Sequence, residues 1–154
     1  MRALTIFFCL FTSAYALSHD HDDVANTIDA LHTFASEANG QAYFALFDDE
    51  AIFIGTDASE TWTVEEFKAY ATPYFDKGKG WTYRVTERNI YFSTTGNVAW
   101  FDELLCNESL GVTRGTGVLE KLNGQWKFAQ YHLVIPVPNA LADDIADQIK
   151  AYTP

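Results

Sequence analysis

The sequence predicts an α+β domain in which a curved antiparallel sheet packs against helices, and two observations carry this prediction. The first is a set of three aromatic-rich apolar runs, Val98–Cys106, Val112–Leu119 and Trp126–Val134. Turn-forming residues at 107–110 and an Asn-Gly pair at 123–124 join these runs, and Asn-Gly is the strongest short-range sign of a hairpin. The second observation is that segments with helical spacing precede and follow the strands, as is typical of the α+β class.

The composition and charge indicate a single folded domain that does not bind nucleic acid. The chain has 154 residues, which is enough for one core, and its 48% hydrophobic and 16% aromatic content argues against disorder. Its net charge of −11 opposes the phosphates of nucleic acid and the surface of anionic lipid. We therefore predict no nucleic-acid partner, no membrane association of the mature form, and no cofactor.

The N-terminus has the features of a signal peptide. A basic residue at position 2 precedes the apolar run Ala3–Phe11, which is too short to span a membrane, and Ala-Tyr-Ala at 14–16 fits a cleavage site. We predict cleavage there and export to the periplasm or out of the cell. Cleavage removes Cys9 and leaves Cys106 as the one cysteine of the mature chain, so no internal disulfide is expected.

These features divide the chain into a signal peptide at 1–16, a flexible leader at 17–23 and a single domain at 24–154. Within the leader, cleavage would make His19 the third residue. A free amine, two amide nitrogens and that imidazole can then hold Cu(II) in a plane. The alternative is a solvated leader whose acids favour the N-terminus of the next helix. We prefer this second interpretation and predict no metal site.

Three helices and one short strand are expected before the long strands. The stripe of the first helix consists of Val24, Ile28, Leu31 and Ala35. A short second helix is predicted at Gln41–Phe47 and an apolar strand at Ala51–Ile54. A capping box, with Thr63 as the N-cap and Glu66 three residues later, predicts the start of the third helix.

The later elements follow from alternation and from prolines. Trp81–Phe92 alternates as a long strand, but the alternation slips near 87–89, which predicts a bulge. Pro136 and Pro138 end the last strand. The apolar stripe of a final helix is Leu141, Ile145 and Ile149.

In this order of elements the chain resembles the SnoaL-like branch of the nuclear transport factor two-like superfamily. The resemblance covers about residues 22–139. It is carried by Phe47–Phe53 after paired helices, and by the Gly-x-Trp to His ending at 124–132. It implies a cone in which a bent sheet and helices enclose a pocket. The superfamily includes isomerases, cyclases, epoxide hydrolases and non-enzymatic proteins, so the fold does not fix the function.

Two relatives within that superfamily offer chemistry that these residues do not reproduce. Ketosteroid isomerases use a tyrosine on the first helix and an aspartate base after the first strand, and the resemblance places Leu31 and Gly55 there. Asp57, two residues on, is a conceivable shifted base. The association domain of calcium/calmodulin-dependent kinase has pocket arginines, whose positions here hold Asp102, Gly117 and Leu133. We therefore expect no preference for carboxylates by that mechanism.

The register of the three long strands decides which side chains face the pocket. If the loop at 107–110 has four residues, Asp102 pairs with Gly115. Glu103 then lies opposite Arg114, which we interpret as a structural cross-strand ion pair.

The second turn has two possible forms. A three-residue loop at 122–124 pairs Gly115 with Tyr131, whereas a two-residue turn at 123–124 pairs Tyr131 with Thr116. We adopt the three-residue loop, because it sets large rings beside glycines, as in a cavity wall.

In this register the pocket face carries Trp100, Asp102, Leu104, Gly115, Gly117, Ala129, Tyr131 and Leu133. The other face carries Phe101, Glu103, Arg114, Thr116, Phe128, Gln130 and His132. The candidate ligand-binding residues are Trp100, Asp102, Tyr131, Leu133, Trp62 and Phe53. We interpret His132 as a hydrogen-bonded sheet or interface residue.

Asp102 is the one carboxylate on the predicted wall and is the candidate catalytic residue. Loss of hydration there would raise its pKa, so that it could act as a general base or, when protonated, donate to a ligand carbonyl. The alternative, which we favour, is a structural aspartate that Tyr131 or a helix donor satisfies.

Three functions are consistent with this pattern. We favour an exported pocket domain that binds a small apolar or aromatic molecule without turnover. The others are an isomerase, cyclase or hydrolase that uses Asp102, and a dimerising module with a vestigial pocket. A two-fold homodimer is expected because the second sheet face would expose apolar side chains. These are Phe101, Val118 and Phe128, beside Arg114 and Gln130.

Overall fold

The computed structural model describes the backbone of residues 9–152 and the side chains of residues 20–152. The start of the predicted signal peptide and the side chain of His19 lie outside these described parts. Helix α1 spans Cys9–Ser36, so it includes the segment at 17–23 and begins before the expected boundary at residue 24. Within it, the Asp20 carboxylate accepts hydrogen bonds from Lys121 and from the indole of Trp126.

The predicted helices and strands are present, with additions. The other helices are α2 (Gly40–Phe44), α3 (Val64–Phe75) and α4 (Ala142–Tyr152), the last preceded by a 3-10 turn at Asn139–Leu141. The strands are β1 (Phe47–Ile54), β2 (Thr61–Thr63), β3 (Arg84–Phe92), β4 (Val98–Asn107), β5 (Gly111–Leu122) and β6 (Gln125–Val134). The capping box of α3 is confirmed, since Glu66 N donates to the Thr63 hydroxyl at 3.2 Å and Thr63 N donates to Glu66 Oε2 at 2.8 Å.

The six strands form one curved sheet in the order β2-β1-β6-β5-β4-β3. The α+β class is confirmed, but the sheet is mixed because β1 pairs with β6 in parallel. The predicted bulge in β3 is also present, one residue earlier than expected, where the register with β4 shifts between Val85 and Glu87. Such a bulge bends its strand and helps the sheet to curve.

Helices α1, α2 and α3 supply the buried residues that cover the inner face of the sheet. The stripe of α1 is confirmed, as each member is at most 2% exposed; it consists of Val24, Ile28, Leu31 and Ala35. On α2, Tyr43 packs against a ring of aromatic side chains at centroid distances of 5.5–6.2 Å. These are Phe47, Phe67, Phe75 and Trp81. The core is therefore dominated by aromatic contacts.

Helix α4 differs from the other helices because none of its residues is buried. Its predicted stripe stays at the surface, where Leu141 and Ile149 are half exposed or more. It lies beside the loop at 56–58. Among the described residues, none of the helices combines the length and the apolar character needed to cross a membrane.

Candidate functional site

The first hairpin of the long strands has a shorter loop than expected. Asn107 pairs with Gly111, so the loop has three residues, and Gly111 takes a positive φ of 72° that favours glycine. The Asn107 side-chain oxygen accepts from the backbone N–H groups of Ser109 at 3.0 Å and Leu110 at 2.9 Å. This side chain therefore closes the loop.

One residue less in the loop turns every side chain of β4 to the opposite face. Glu103 pairs with Gly115, and Leu104 rather than Glu103 lies opposite Arg114. The predicted Glu103–Arg114 pair is wrong for this reason. The buried side chains of β4 are Ala99, Phe101, Glu103 and Leu105.

Two of the predicted site residues consequently lie on the outer face. Trp100 is 44% exposed and stacks on Tyr91 with ring centroids 6.0 Å apart. Asp102 accepts a hydrogen bond from the Asn89 amide at 3.2 Å. The expectation that Trp100 and Asp102 line the pocket was wrong, and so was the expectation that Phe101 and Phe128 are exposed for dimerisation, because both are buried.

The second hairpin combines the two turn forms in a way that the sequence did not predict. Leu122 pairs with Gln125, so the turn has two residues. A bulge at Ala129 then shifts β6, and Tyr131 pairs with Gly117 instead of Gly115 or Thr116. The difference from the adopted register is two residues, which keeps the same face inward. Tyr131 therefore faces inward as predicted.

A cavity of about 200 Å³, partly open to solvent, lies between the inner face of the sheet, α1, α2, α3 and the loops beside them. We call it the aromatic cavity. Four of the six predicted ligand-binding residues line it, namely Phe53, Trp62, Tyr131 and Leu133. Additional rings come from Tyr43, Phe67, Tyr70, Trp81 and Tyr83. The exposed side chains at its rim are Thr56, Tyr70 and Leu110.

Part of the wall is a stack of nearly parallel rings. Phe53 and Phe67 lie 3.6 Å apart between ring centroids at 12°, and Trp62 lies 5.6 Å from Phe67 at 14°. Trp81 has a different orientation, since its ring is at 89° to Tyr43 and 41° to Phe67. The cavity is therefore bordered by aromatic rings in at least two orientations.

A buried polar group borders this aromatic wall. His32, on α1, lines the cavity, and its Nε2 lies 2.7 Å from Oε1 of Glu103. The Glu103 side chain is fully buried and that of His32 is 10% exposed. An ionised carboxylate only accepts, so Nε2 carries the shared proton when Glu103 is ionised. In the neutral imidazole this leaves Nδ1 as the basic nitrogen.

Arg88 on β3 holds the other side of Glu103. Its Nε donates to Glu103 Oε2 at 2.9 Å, and its Nη1 donates to the exposed carboxylate of Asp29 at 2.7 Å. Nη2 lies equally close to Glu103 Oε2 but is badly aligned and makes no hydrogen bond there. The four side chains Asp29, Arg88, Glu103 and His32 thus form a continuous polar network, from the surface of α1 to the cavity.

Three tyrosines, Tyr43, Tyr83 and Tyr131, line the same cavity as His32. The Tyr131 hydroxyl and the Glu103 carboxylate both approach Gly115 closely, since a Cβ at Gly115 would lie 2.7 Å from the hydroxyl and 2.9 Å from Glu103 Oε1. Burial first, and then the negative charge of Glu103, raises the pKa of Tyr131 well above its ordinary value. Burial also raises the pKa of Tyr43 and Tyr83. All three therefore stay protonated near neutral pH.

Sequence reasoning missed His32, Arg88 and Glu103. Two patterns could have indicated the first and the last. His32 follows Ile28 by one helical turn, so it lies at the edge of the buried stripe of α1. Glu103 alternates with Phe101 and Leu105, which makes it a carboxylate in an apolar row. Within the described residues, no three His, Cys, Asp or Glu side chains are placed to hold a metal ion.

This architecture is that of the NTF2-like fold. The sequence profile of the SnoaL-like domain matches residues 24–138, which is most of the chain, and the protein belongs to this family. No curated protein matches the chain in sequence.

Solved structures with the same fold are distant in sequence. An NTF2-like protein of unknown function from Pseudomonas putida is 12% identical, with a TM-score of 0.66 over 79% of this chain and 90% of that one. A proposed aromatic ring hydroxylase from Novosphingobium aromaticivorans is 13% identical, with a TM-score of 0.64 over 78% and 91%. A proposed dehydratase from Streptomyces avermitilis is 13% identical, with a TM-score of 0.65 over 79% and 99%. The TM-scores establish a common fold, and the low sequence identities leave the function open.

Proposed function

We propose that the protein binds a small aromatic or apolar molecule in the aromatic cavity without converting it. The observation that carries this proposal is the lining, which is made mainly of rings and aliphatic side chains with few polar groups. Ligand sites usually combine an apolar wall with a few placed polar groups. An apolar cavity of about 150 Å³ accepts benzene, so the volume of about 200 Å³ suits a ligand with one substituted ring.

The polar network gives this ligand an orientation. His32 is held by Glu103, and the Tyr131 hydroxyl stays protonated, so both can form hydrogen bonds with a polar substituent. The name of the Novosphingobium neighbour refers to aromatic rings. That name agrees with an aromatic ligand, but the proposal rests on the cavity.

Binding is tested with phenol and benzyl alcohol by ligand-observed NMR. Leu133→Trp should fill the cavity and weaken binding at least about tenfold, because Leu133 lines it. Val112→Trp is the matched control, since Val112 is exposed on β5 and lies outside the cavity lining. Circular dichroism checks folding, and Thr56→Trp at the exposed rim provides a second blocking variant. Equal binding by both blocked variants and the control would refute a ligand site in this cavity.

A second candidate function is proton transfer by His32, which replaces the role first predicted for Asp102. It is favoured by the 2.7 Å contact of His32 Nε2 with a buried carboxylate. A base oriented by a third group is the usual arrangement in general-base catalysis. Asp102 cannot take this role because it lies on the outer face with Asn89.

Proton transfer is tested with a small aromatic ketone, acetophenone, in heavy water. Wild type should exchange the protons next to the carbonyl for deuterium faster than buffer, and His32→Gln should lower that rate about a hundredfold or more. His132→Gln is the control. His132 follows the inward-facing Tyr131 on β6, so its side chain faces the other side of the sheet. A wild-type rate equal to buffer would reject this candidate and leave the binding proposal in place.

We further propose that the protein is exported after cleavage near residue 16. The basic start, the apolar run Ala3–Phe11 and the Ala-Tyr-Ala site support this. Among the described side chains, the buried stripe of α1 starts at Val24, so the mature chain would retain it. Mass spectrometry of the native protein should find a start near Leu17. Folded, exported protein that retains Met1 would contradict the proposal.

We also propose a two-fold homodimer through the outer face of the sheet. Its support is an exposed aromatic pair, Tyr91 and Trp100, with the exposed Val112 on the same sheet. Stacked aromatic side chains that face solvent are typical of interaction surfaces.

A further inference from the structure

The ionised side chain in the described lining of the aromatic cavity is negative. Among its described lining residues there is no Lys or Arg, and the one carboxylate is that of Glu60. The backbone N–H of Asp57 donates to Glu60 Oε2 at 3.1 Å, which holds the carboxylate in place. That oxygen also lies within 2.2 Å of the point where a Cβ on Gly55 would stand. The absence of a side chain at Gly55 therefore makes room for a carboxylate beside the cavity.

The buried network adds no net positive charge on this side. Arg88 faces two carboxylates, those of Glu103 and Asp29, so its charge is more than balanced. His32 is the one other titratable group of the lining besides Glu60 and the tyrosines. With a neutral imidazole, the formal charges of Glu60 and of the buried network sum to a negative value, and the whole chain carries a net charge of −11.

The aromatic walls of the cavity also favour a positively charged ligand. Ring faces carry partial negative charge, and Trp attracts a cation most strongly. Trp62 and Trp81 both line the cavity, and their neighbours are set in more than one orientation. A cation that lies over the face of such a ring is attracted to it, most strongly when the cation is desolvated.

We propose that the aromatic cavity selects small organic cations, in which an ammonium group is carried on an apolar or aromatic body. This inference rests on the proposed binding function and specifies its ligand class. The aromatic wall takes up the body, and Glu60 together with the ring faces attracts the ammonium group. A carboxylate-bearing ligand finds no cation to pair with among the described lining residues.

The test compares three compounds that share one ring and differ in charge: benzylamine, benzyl alcohol and benzoate. Isothermal titration at pH 7 should give benzylamine about five- to thirtyfold tighter binding than benzyl alcohol, with benzoate weakest. Glu60→Gln should reduce the preference for benzylamine over benzyl alcohol, because glutamine removes the charge and retains the acceptor for Asp57 N. Glu65→Gln, on the exposed first turn of α3, is the control with the same change in net charge.

Each outcome decides the inference. Tighter binding of benzylamine that falls in Glu60→Gln but not in Glu65→Gln supports it. If benzyl alcohol or benzoate binds as tightly as benzylamine, the inference fails while the binding function stands. If none of the three binds, both fail. If Glu65→Gln reduces the preference as much as Glu60→Gln, the overall charge of the chain explains the preference, and the cavity does not select cations.

Discussion

Two neighbouring carboxylates on β4 occupy opposite environments. Glu103 faces inward, is fully buried and is held by His32 and Arg88. Asp102 faces outward, where the Asn89 amide donates to it. The two residues are consecutive on β4, and side chains alternate along a strand. Glu103 therefore joins the polar network beside the cavity, and Asp102 lies on the outer face. The length of one hairpin loop thus decides which of the two acids joins the polar network beside the cavity.

The largest effect should come from removing the charge of the inner acid. Glu103→Gln leaves Arg88 with only the exposed Asp29 as a charged partner, so we expect a loss of about 3 kcal/mol in the free energy of unfolding. Asp102→Asn should change it by no more than about 0.5 kcal/mol, as is usual for surface substitutions. Urea melts at pH 7 measure both. Equal losses would mean that the two faces of β4 do not differ as described.

Substitution of the two arginines on either side of the sheet should have a smaller effect on the free energy of unfolding. Arg88 contacts Glu103, whereas Arg114 lies opposite Leu104. Arg88→Gln removes the charged hydrogen bonds from Nε to Glu103 and from Nη1 to Asp29, and it should cost about 2 kcal/mol. Arg114→Gln, on the exposed face, should have little effect, because Arg114 lies opposite Leu104 and not opposite Glu103 as its sequence spacing predicted. A double-mutant cycle of Glu103→Gln with each arginine variant should show coupling for Arg88 alone. Coupling to Arg114 would restore the register first predicted.

The fold could be predicted from the sequence because its evidence is local. Helical spacing from Val24 to Ala35, the capping box at Thr63 and the alternation of the strands each need only a few neighbouring residues. The inward position of Tyr131 was also predicted, although by a register that differed by two residues.

The candidate site was less predictable because it depends on contacts between distant parts of the chain. His32 and Glu103 are 71 residues apart, and no local pattern joins them. The face of β4 depended on whether Asn107 closes a loop of three or four residues. Because the side chains alternate, an error of one residue there exchanged Glu103 for Asp102.

The free energy of unfolding should fall at alkaline pH because a buried tyrosine, Tyr131, lies on the inner face of the sheet. Tyr131 has a raised pKa in the folded state, so above the ordinary tyrosine value only the unfolded chain releases its proton. Stability is therefore unaffected below about pH 10 and should fall above it, by about 1.4 kcal/mol per pH unit for each such hydroxyl. Tyr131→Phe should make that decline less steep, whereas Tyr152→Phe, at an exposed position, should not. Urea melts between pH 9 and 11 measure the slopes, and identical slopes would contradict burial of the Tyr131 hydroxyl.

The smallest effect on stability, and the largest on assembly, is expected on the outer face. Trp100 is 44% exposed and stacks only against the exposed Tyr91 among the described rings, so Trp100→Arg should change the free energy of unfolding of the monomer by no more than about 0.5 kcal/mol. If the outer face forms a two-fold interface, the same substitution places two arginines near each other across the axis, since each protomer presents the same patch. Light scattering at micromolar concentration should then give a dimer mass for wild type and a monomer mass for Trp100→Arg. Tyr74→Arg is the control, because Tyr74 is an equally exposed aromatic residue on α3, away from the outer face. A monomeric wild type would reject the homodimer, and loss of the dimer in Tyr74→Arg alone would move the interface from the sheet to the helices.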